Sequence, residues 1–199
     1  MSSPESPSSS PRLACVLLTG GDGVRLGGAD KAGLEIGGET LLEHALRATA
    51  ASDEVVVVGP RVPTSRPVTW TREDPVGGGP AAGLLAGLDA LGRRADLVCV
   101  LAVDMPRVTP ATLARLVDAV RAEPDADGAV LVDPDGHRQY LAAVYRYDGL
   151  TSARPPRHED EHGLPMRRLL LPLRLASVDA LGEEARDVDT WDDLRDLRG

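Results

Sequence analysis

The chain alternates short apolar runs with stretches of helical spacing, and most changes of period fall beside a glycine or a proline. Residues 12–18 read as a strand buried on both faces, because Leu13, Ala14, Cys15, Val16, Leu17 and Leu18 are continuously apolar. Residues 40–51 have helical spacing, with Leu41, Leu42, Ala45 and Leu46 on one side and Glu43, His44 and Arg47 on the other. Residues 54–58 predict a second buried strand, ended by Gly59-Pro60, and residues 67–71 a weaker third one. Pro80 suits the first turn of a helix that runs to about Leu91. The most apolar strand of all spans 96–103 and ends at Asp104, and Thr109-Pro110 then caps and opens a helix through Glu123. Strands over 128–132 and 139–147 are joined by the turn Asp133-Pro134-Asp135-Gly136. Residues 148–165 are polar and read as irregular. A short helix (164–171), a strand (173–178) and a capped helix (190–197) follow.

Strand and helix in alternation predict an α/β fold, a mostly parallel sheet with helices on both faces. In such sheets the ligand sits at the carboxyl ends of the strands, beside the switch in strand order. The Ser/Pro-rich residues 1–11 read as a disordered tail and 12–199 as one domain. The tail lacks the charged start and apolar stretch of a secretory signal.

Composition narrows the function. Apolar residues make up 42% and charged residues 27%, the balance of a globular protein, and no apolar run is long enough to span a membrane. A net charge of −9 without a basic stripe argues against nucleic-acid binding. Cys15 and Cys99 each lie in an apolar run, which fits core positions in a reduced, cytoplasmic protein. His44, His137, His158 and His162 lack the spacing of metal ligands, and Trp70 and Trp191 read as packing residues. Among the basic residues 21 are Arg and one is Lys, Lys31. A lysine kept where every other cation is arginine suggests a place for a compact ammonium.

Lys31 closes the most glycine-rich stretch of the chain, VLLTGGDGVRLGGADK over residues 16–31. Glycines there let the backbone approach an anion and point successive N–H groups at it, while Arg25 and Lys31 add positive charge. A Walker loop fails, because Asp30 precedes Lys31 and Ala32 follows it. A dinucleotide fingerprint begun at Gly21 fails at Leu26. Asp104, at the end of its buried strand, is placed to hold Mg²⁺, which takes one or two carboxylates together with phosphate oxygens.

The glycine-rich stretch resembles the signature of the molybdenum-cofactor nucleotidyltransferase family, Leu-Ala-Gly-Gly, then Arg-Met-Gly, then Asp-Lys. Here the residues are Leu18-Thr19-Gly20-Gly21, Arg25-Leu26-Gly27 and Asp30-Lys31, with Thr19 and Leu26 as the departures. Four further blocks match in order: Glu73-Asp74 with Gly78-Gly79-Pro80 and Gly83; Asp104-Met105-Pro106; Gln139-Tyr140-Leu141 with Ala143-Val144-Tyr145; and Asp187-Val188-Asp189-Thr190, where the family has Asn-x-Asn-Thr.

The resemblance implies a three-layer, Rossmann-like (glycosyltransferase-A-like) fold and transfer of a nucleoside monophosphate to a phosphate monoester. Such an acceptor has its second pKa near about 6 and is already ionised at neutral pH, so no Ser, Cys or His nucleophile is required. By resemblance, Leu18, Thr19, Gly20, Gly21, Lys31, Asp74 and Asp104 bind the nucleotide. Arg25, Lys31 and Asp104 serve catalysis, Asp104 and Asp189 hold Mg²⁺, and the alternatives are Asp187 as the second ligand or contact of either aspartate with the acceptor. Gly20-Gly21 is the form that accompanies guanine in the family, so the implied nucleotide is GTP and the acceptor molybdopterin. Docking to a molybdopterin-insertion or molybdoenzyme partner belongs to the same expectation. The alternatives are CTP on molybdopterin, an NTP on a sugar phosphate, or a catalytically silent nucleotide-binding or cofactor-docking protein.

Overall fold

The computed structural model describes residues 11–20 and 31–197. Apart from Pro11 the expected tail lies outside them, as do Gly21 and Arg25. The elements are β1 (Leu13–Leu18), β2 (Glu35–Ile36), β3 (Glu39–Thr40), α1 (Leu41–Ala48), β4 (Glu54–Val58), β5 (Thr69–Thr71) and α2 (Gly79–Asp89). They continue with β6 (Leu97–Ala102), α3 (Pro110–Ala122), β7 (Gly128–Val132), β8 (Arg138–Arg146), α4 (Tyr147–Ala153), α5 (Met166–Leu169), β9 (Leu175–Asp179) and α6 (Trp191–Asp196).

Seven strands form one sheet in the order β5-β4-β1-β6-β8-β7-β9, while β2 and β3 make a separate small hairpin. Within the seven-stranded sheet the pairings are parallel except those of β8, which runs antiparallel to both β6 and β7. Order reverses at β1, which pairs with β4 on one side and β6 on the other. Both neighbours run with it, so their carboxyl ends share one edge of the sheet.

The central strands are buried on both faces, which is why they read as continuous apolar runs. Cys15, Leu17, Val57 and Leu101 face a layer that includes Leu42 of α1, Leu116 of α3 and Leu194 of α6. Ala14, Val16, Val56 and Val100 face the opposite layer, with Leu84 of α2, Leu150 of α4 and Leu169 of α5. The result is the three-layer, Rossmann-like α/β architecture. Cys15 and Cys99 are register partners, free and fully buried, and burial pushes the Cys15 thiol well up. That keeps the thiol protonated and unreactive. No helix among the described residues is long and apolar enough to cross a membrane.

Three features differ from the sequence expectation. The β2–β3 hairpin has strands too short to show alternation in sequence. The 148–165 stretch, expected to be irregular, begins with α4, although YDGLTSA is a poor helix former. Tertiary contacts override propensity there: Leu150 is fully buried, and Arg154 forks onto Asp89 at 2.6 and 2.8 Å while its Nε donates to Glu161 at 2.7 Å. Several elements are shorter than the sequence suggests, as with α1, which stops at Ala48, and β6, which spans Leu97–Ala102.

Helix α2 lies close on β1 because it presents glycine there. A β-carbon at Gly87 would overlap Val16 Cγ1 and lie 3.1 Å from Cγ2, and one at Gly83 would lie 3.3 Å from Leu18 Cδ2. Val16 is a stiff, fully buried side chain that cannot swing away. Gly87→Ala is therefore expected to destabilise by about 1–3 kcal/mol despite alanine's better helix propensity. Urea denaturation checks this, and an unchanged or raised midpoint would show that the helix can back away freely.

Candidate active site

Two residues beyond β6, the chain turns, with Met105 N–H donating to Ala102 O at 3.3 Å, and presents Asp104 at the sheet edge. Val103 N–H still reaches Leu18 O at 3.1 Å, so Asp104 sits directly beside the end of β1. Its carboxylate is partly open, with 22% of the side chain exposed.

Lys31 opens a single 3-10 turn, Lys31–Gly33, and is buried to 9% exposure. Its Nζ donates to Asp104 Oδ2 at 2.8 Å and to Asp189 Oδ1 at 3.0 Å. Three residues far apart in sequence thus meet at one point. Burial alone would lower the ammonium's pKa, but the hydrogen bond and charge of Asp104, then those of Asp189, outweigh it and hold the pKa above its ordinary value.

Asp189 arrives on the segment before α6. Val188 N–H donates to Asp104 O at 2.8 Å, and the Val188 side chain is fully buried in the core. In extended chain the neighbours of a buried residue point the other way, toward the edge. That fits Asp187, whose pKa is raised by desolvation and then by the charges of Asp189 and Asp104. After Asp189 the chain is fixed by the capping box of α6, with Asp193 N–H donating to Thr190 Oγ1 at 3.1 Å and Thr190 N–H to Asp193 Oδ2 at 2.8 Å. Ahead of it, Glu184 clamps the segment to α3. Its carboxylate accepts from Arg115 Nη1 at 3.0 Å and Nη2 at 2.7 Å, from Thr112 Oγ1, and from Leu181 N–H at 2.8 Å. No motif flagged Glu184, and a lone Glu in a polar stretch offers no signal in sequence.

The remaining candidates sit as follows. Leu18 has its side chain in the core, so only its backbone faces the edge. Thr19 is 3% exposed with its hydroxyl bonded inward to Val58 O, whereas Gly20 is exposed with open space at its α-carbon. Gly21 and Arg25 lie outside the described residues. Asp74 is exposed, three residues past β5, on a cavity of about 480 Å³ lined by Glu73, Pro75, Ala82 and His162 among others. Three strand spacings separate β5 from β6, roughly 14 Å, a span that a nucleoside triphosphate can bridge. Trp191, read from sequence as a packing residue, is 46% exposed at the start of α6. Among the described residues one group of metal-type donors also gathers, Asp133, Asp135 and His137, but it is an exposed turn in which Asp133 caps its own chain's N–H groups.

A buried ammonium shared by two carboxylates at the switch point of a Rossmann-like sheet is a setting for phosphate and metal, and relatives bear on which chemistry uses it. The model of the MobA-like NTP transferase domain family matches residues 15–178. The chain belongs to this family. A protein of Mycobacterium ulcerans named "Probable molybdenum cofactor guanylyltransferase" is 38% identical over 145 residues, covering 68% of this chain and 69% of that protein. Among solved structures, molybdopterin-guanine dinucleotide biosynthesis protein A from Archaeoglobus fulgidus superposes with a TM-score of 0.71 at 21% identity, over 93% of this chain and 96% of that one. The 2-C-methyl-D-erythritol 4-phosphate cytidylyltransferase of Thermus thermophilus gives 0.68 at 22% identity, over 92% and 96%. The fold is therefore shared by enzymes named for guanine and for cytosine nucleotides, and it does not by itself select the base. Nucleotidyl transfer is the activity of the family.

The Glu184 clamp yields a pH prediction. Desolvation would raise the Glu184 pKa, but hydrogen bonds from Arg115, Thr112 and Leu181 N–H overcome it and lower the value from 4.5 to about 2. A folded pKa below the unfolded one contributes stability that is present above pH about 4.5 and is lost as pH falls toward about 2. Glu184→Gln is thus expected to cost about 2 kcal/mol at neutral pH, with the gap from the unsubstituted protein closing on acidification. Chemical denaturation across pH measures both, and a gap independent of pH would refute the charged clamp.

Proposed function

We propose that this chain is a molybdenum cofactor guanylyltransferase, transferring GMP from Mg²⁺-bound GTP to the phosphate of molybdopterin with release of pyrophosphate. The observation that carries this reading is the meeting of Lys31, Asp104 and Asp189 at the edge where β1 and β6 end, in a chain of this family. An ionised phosphate oxygen of the acceptor attacks the α-phosphorus, the bond from that phosphorus to the β-phosphate oxygen breaks, and pyrophosphate leaves with the electron pair. No proton has to be removed from the acceptor, which agrees with a site built from carboxylates and cations.

The residues fit a hard divalent ion. Two carboxylates stand close enough to share one cation, with Lys31 Nζ at 2.8 and 3.0 Å from their oxygens, and carboxylate oxygen is the donor that Mg²⁺ prefers. Asp104 and Asp189 would hold it, and the bound ion would supply charge neutralisation on the phosphates. Lys31 then turns to phosphate oxygens, a role suited to a compact ammonium. Gly20, exposed and without a β-carbon, is assigned to close backbone approach to the phosphates, and Gly21 and Arg25 are assigned to the phosphates by family likeness alone. Asp74 is assigned to the base or ribose. Gly20-Gly21 supports guanine. A cytoplasmic setting and hand-over of product to a molybdopterin-insertion or molybdoenzyme partner belong to the same reading and rest on the family relation.

Incubation with GTP, Mg²⁺ and molybdopterin should release pyrophosphate, and CTP in place of GTP should be slower by about tenfold or more. Equal rates with CTP would remove the guanine assignment, and no release with either would remove the reaction.

The shared ammonium also sets metal binding. While it bridges Asp104 and Asp189, it occupies the charge that a divalent ion would take, so metal and Lys31 compete until phosphates draw the lysine away. Lys31→Met is expected to bind Mn²⁺ in the absence of nucleotide about tenfold more tightly than the unsubstituted protein, a difference of about 1.4 kcal/mol. Asp104→Asn is expected to lose Mn²⁺ binding. Electron paramagnetic resonance of free Mn²⁺ reads both, and unchanged affinity in Lys31→Met would place the metal elsewhere.

A further inference from the structure

Thr19 stands where the family signature has alanine, and the structure gives its hydroxyl a specific partner. Thr19 N–H and Oγ1–H both donate to Val58 O, at 3.1 and 3.0 Å. The side chain is 3% exposed, so it faces into the protein at the point where the glycine-rich segment leaves β1. The hydroxyl occupies space that any other residue at position 59 would need. Gly59 has φ +148°, and a β-carbon there would overlap Thr19 Oγ1 and lie 3.3 Å from Thr19 Cβ. Gly59 N–H in turn donates to Thr71 O at 2.9 Å. The ends of β1, β4 and β5 are thereby tied in a row. One end of that row begins the glycine-rich segment, and the other begins the turn that holds Asp74.

We propose that Thr19 and Gly59 interlock to fix these strand ends, making Thr19 a positioning residue for nucleotide binding and not a nucleotide ligand. The inference rests on the proposed nucleotidyl transfer for its functional half, while the interlock itself stands on geometry alone. Its physical content is pre-organisation. Strand ends fixed in advance hold Gly20 and the turn of Asp74 in place, so less ordering is needed when the nucleotide arrives.

Two experiments test the two halves separately. Thr19→Val keeps shape and removes the hydroxyl, and Val58 O keeps its bond from the backbone N–H at position 19, so no buried acceptor is orphaned. With the hydroxyl's bond gone, the Kd and KM for GTP·Mg²⁺ should rise by about fivefold to tenfold, with kcat at saturation nearly unchanged. Thr19→Ser retains the hydroxyl and should behave as the unsubstituted protein. If Thr19→Val binds GTP normally, or if kcat falls while KM holds, the positioning role is wrong.

The interlock is read from thermal melting without any nucleotide. Gly59→Ala should lower Tm sharply because its methyl group meets Thr19 Oγ1. Thr19→Ala/Gly59→Ala should melt higher than Gly59→Ala alone, since the colliding oxygen is gone, although the strained φ remains. A double variant that melts as low as or lower than Gly59→Ala would overturn the interlock. Should the unsubstituted protein neither bind GTP nor release pyrophosphate, the assigned reaction fails, and the melting cycle still decides the geometry.

Discussion

The candidate site depends on one ammonium held between two carboxylates. Lys31 Nζ contacts Asp104 and Asp189 from a position that is nearly buried. Removing such a charge from water is costly unless its hydrogen-bonding capacity is met by groups of opposite sign. The two carboxylates meet that need and repel one another less because the lysine lies between them. The arrangement is thus stable as it stands and poised for exchange, because whatever offers the carboxylates a stronger cation, or the lysine a stronger anion, can take it apart. A metal-bound triphosphate offers both at once.

Placing those three side chains together is the work of the sheet. Asp104 is delivered by β6, whose six residues are all buried and which lies between β1 and β8. Asp189 comes from a segment that would wander without the Val188–Asp104 backbone bond, the capping box at Thr190 and the Glu184 clamp on α3. Those anchors use ordinary devices, a buried valine, a helix cap and an Arg–carboxylate fork, to hold the Asp189 carboxylate beside Lys31. Interactions remote from the Lys31 ammonium therefore decide which carboxylates it meets.

Close approach is a second constraint, and small residues satisfy it. Gly83 and Gly87 let α2 lie against Leu18 and Val16, and Gly59 makes room for the Thr19 hydroxyl. In both places a side chain on one element needs the volume that a β-carbon on its neighbour would fill. The consequence is that β1, which leads into the glycine-rich segment, is hemmed in by α2 on one face and tied to β4 at its end.

Much of this was legible along the chain. Continuous apolar runs marked β1, β4 and β6, because strands buried on both faces have no polar side to show. Thr109-Pro110 and Thr190 marked helix starts through capping chemistry that is local by nature. Asp104 was legible as a strand-end carboxylate and Lys31 as the sole lysine beside the glycines, and family likeness added Asp74 and Asp189. What the sequence could not state was that Asp104 and Asp189 both accept from the Lys31 ammonium, since contact across such separations depends on strand order and register. The inward turn of Thr19, the overlap it would have with any side chain at 59, the Glu184 clamp, the exposure of Trp191 and the folding of α4 are likewise outcomes of packing. The physical reason is the same in each case. Periodicity and capping are settled between near neighbours in the chain, whereas burial, ion pairing and shared space are settled only after distant segments have been brought together.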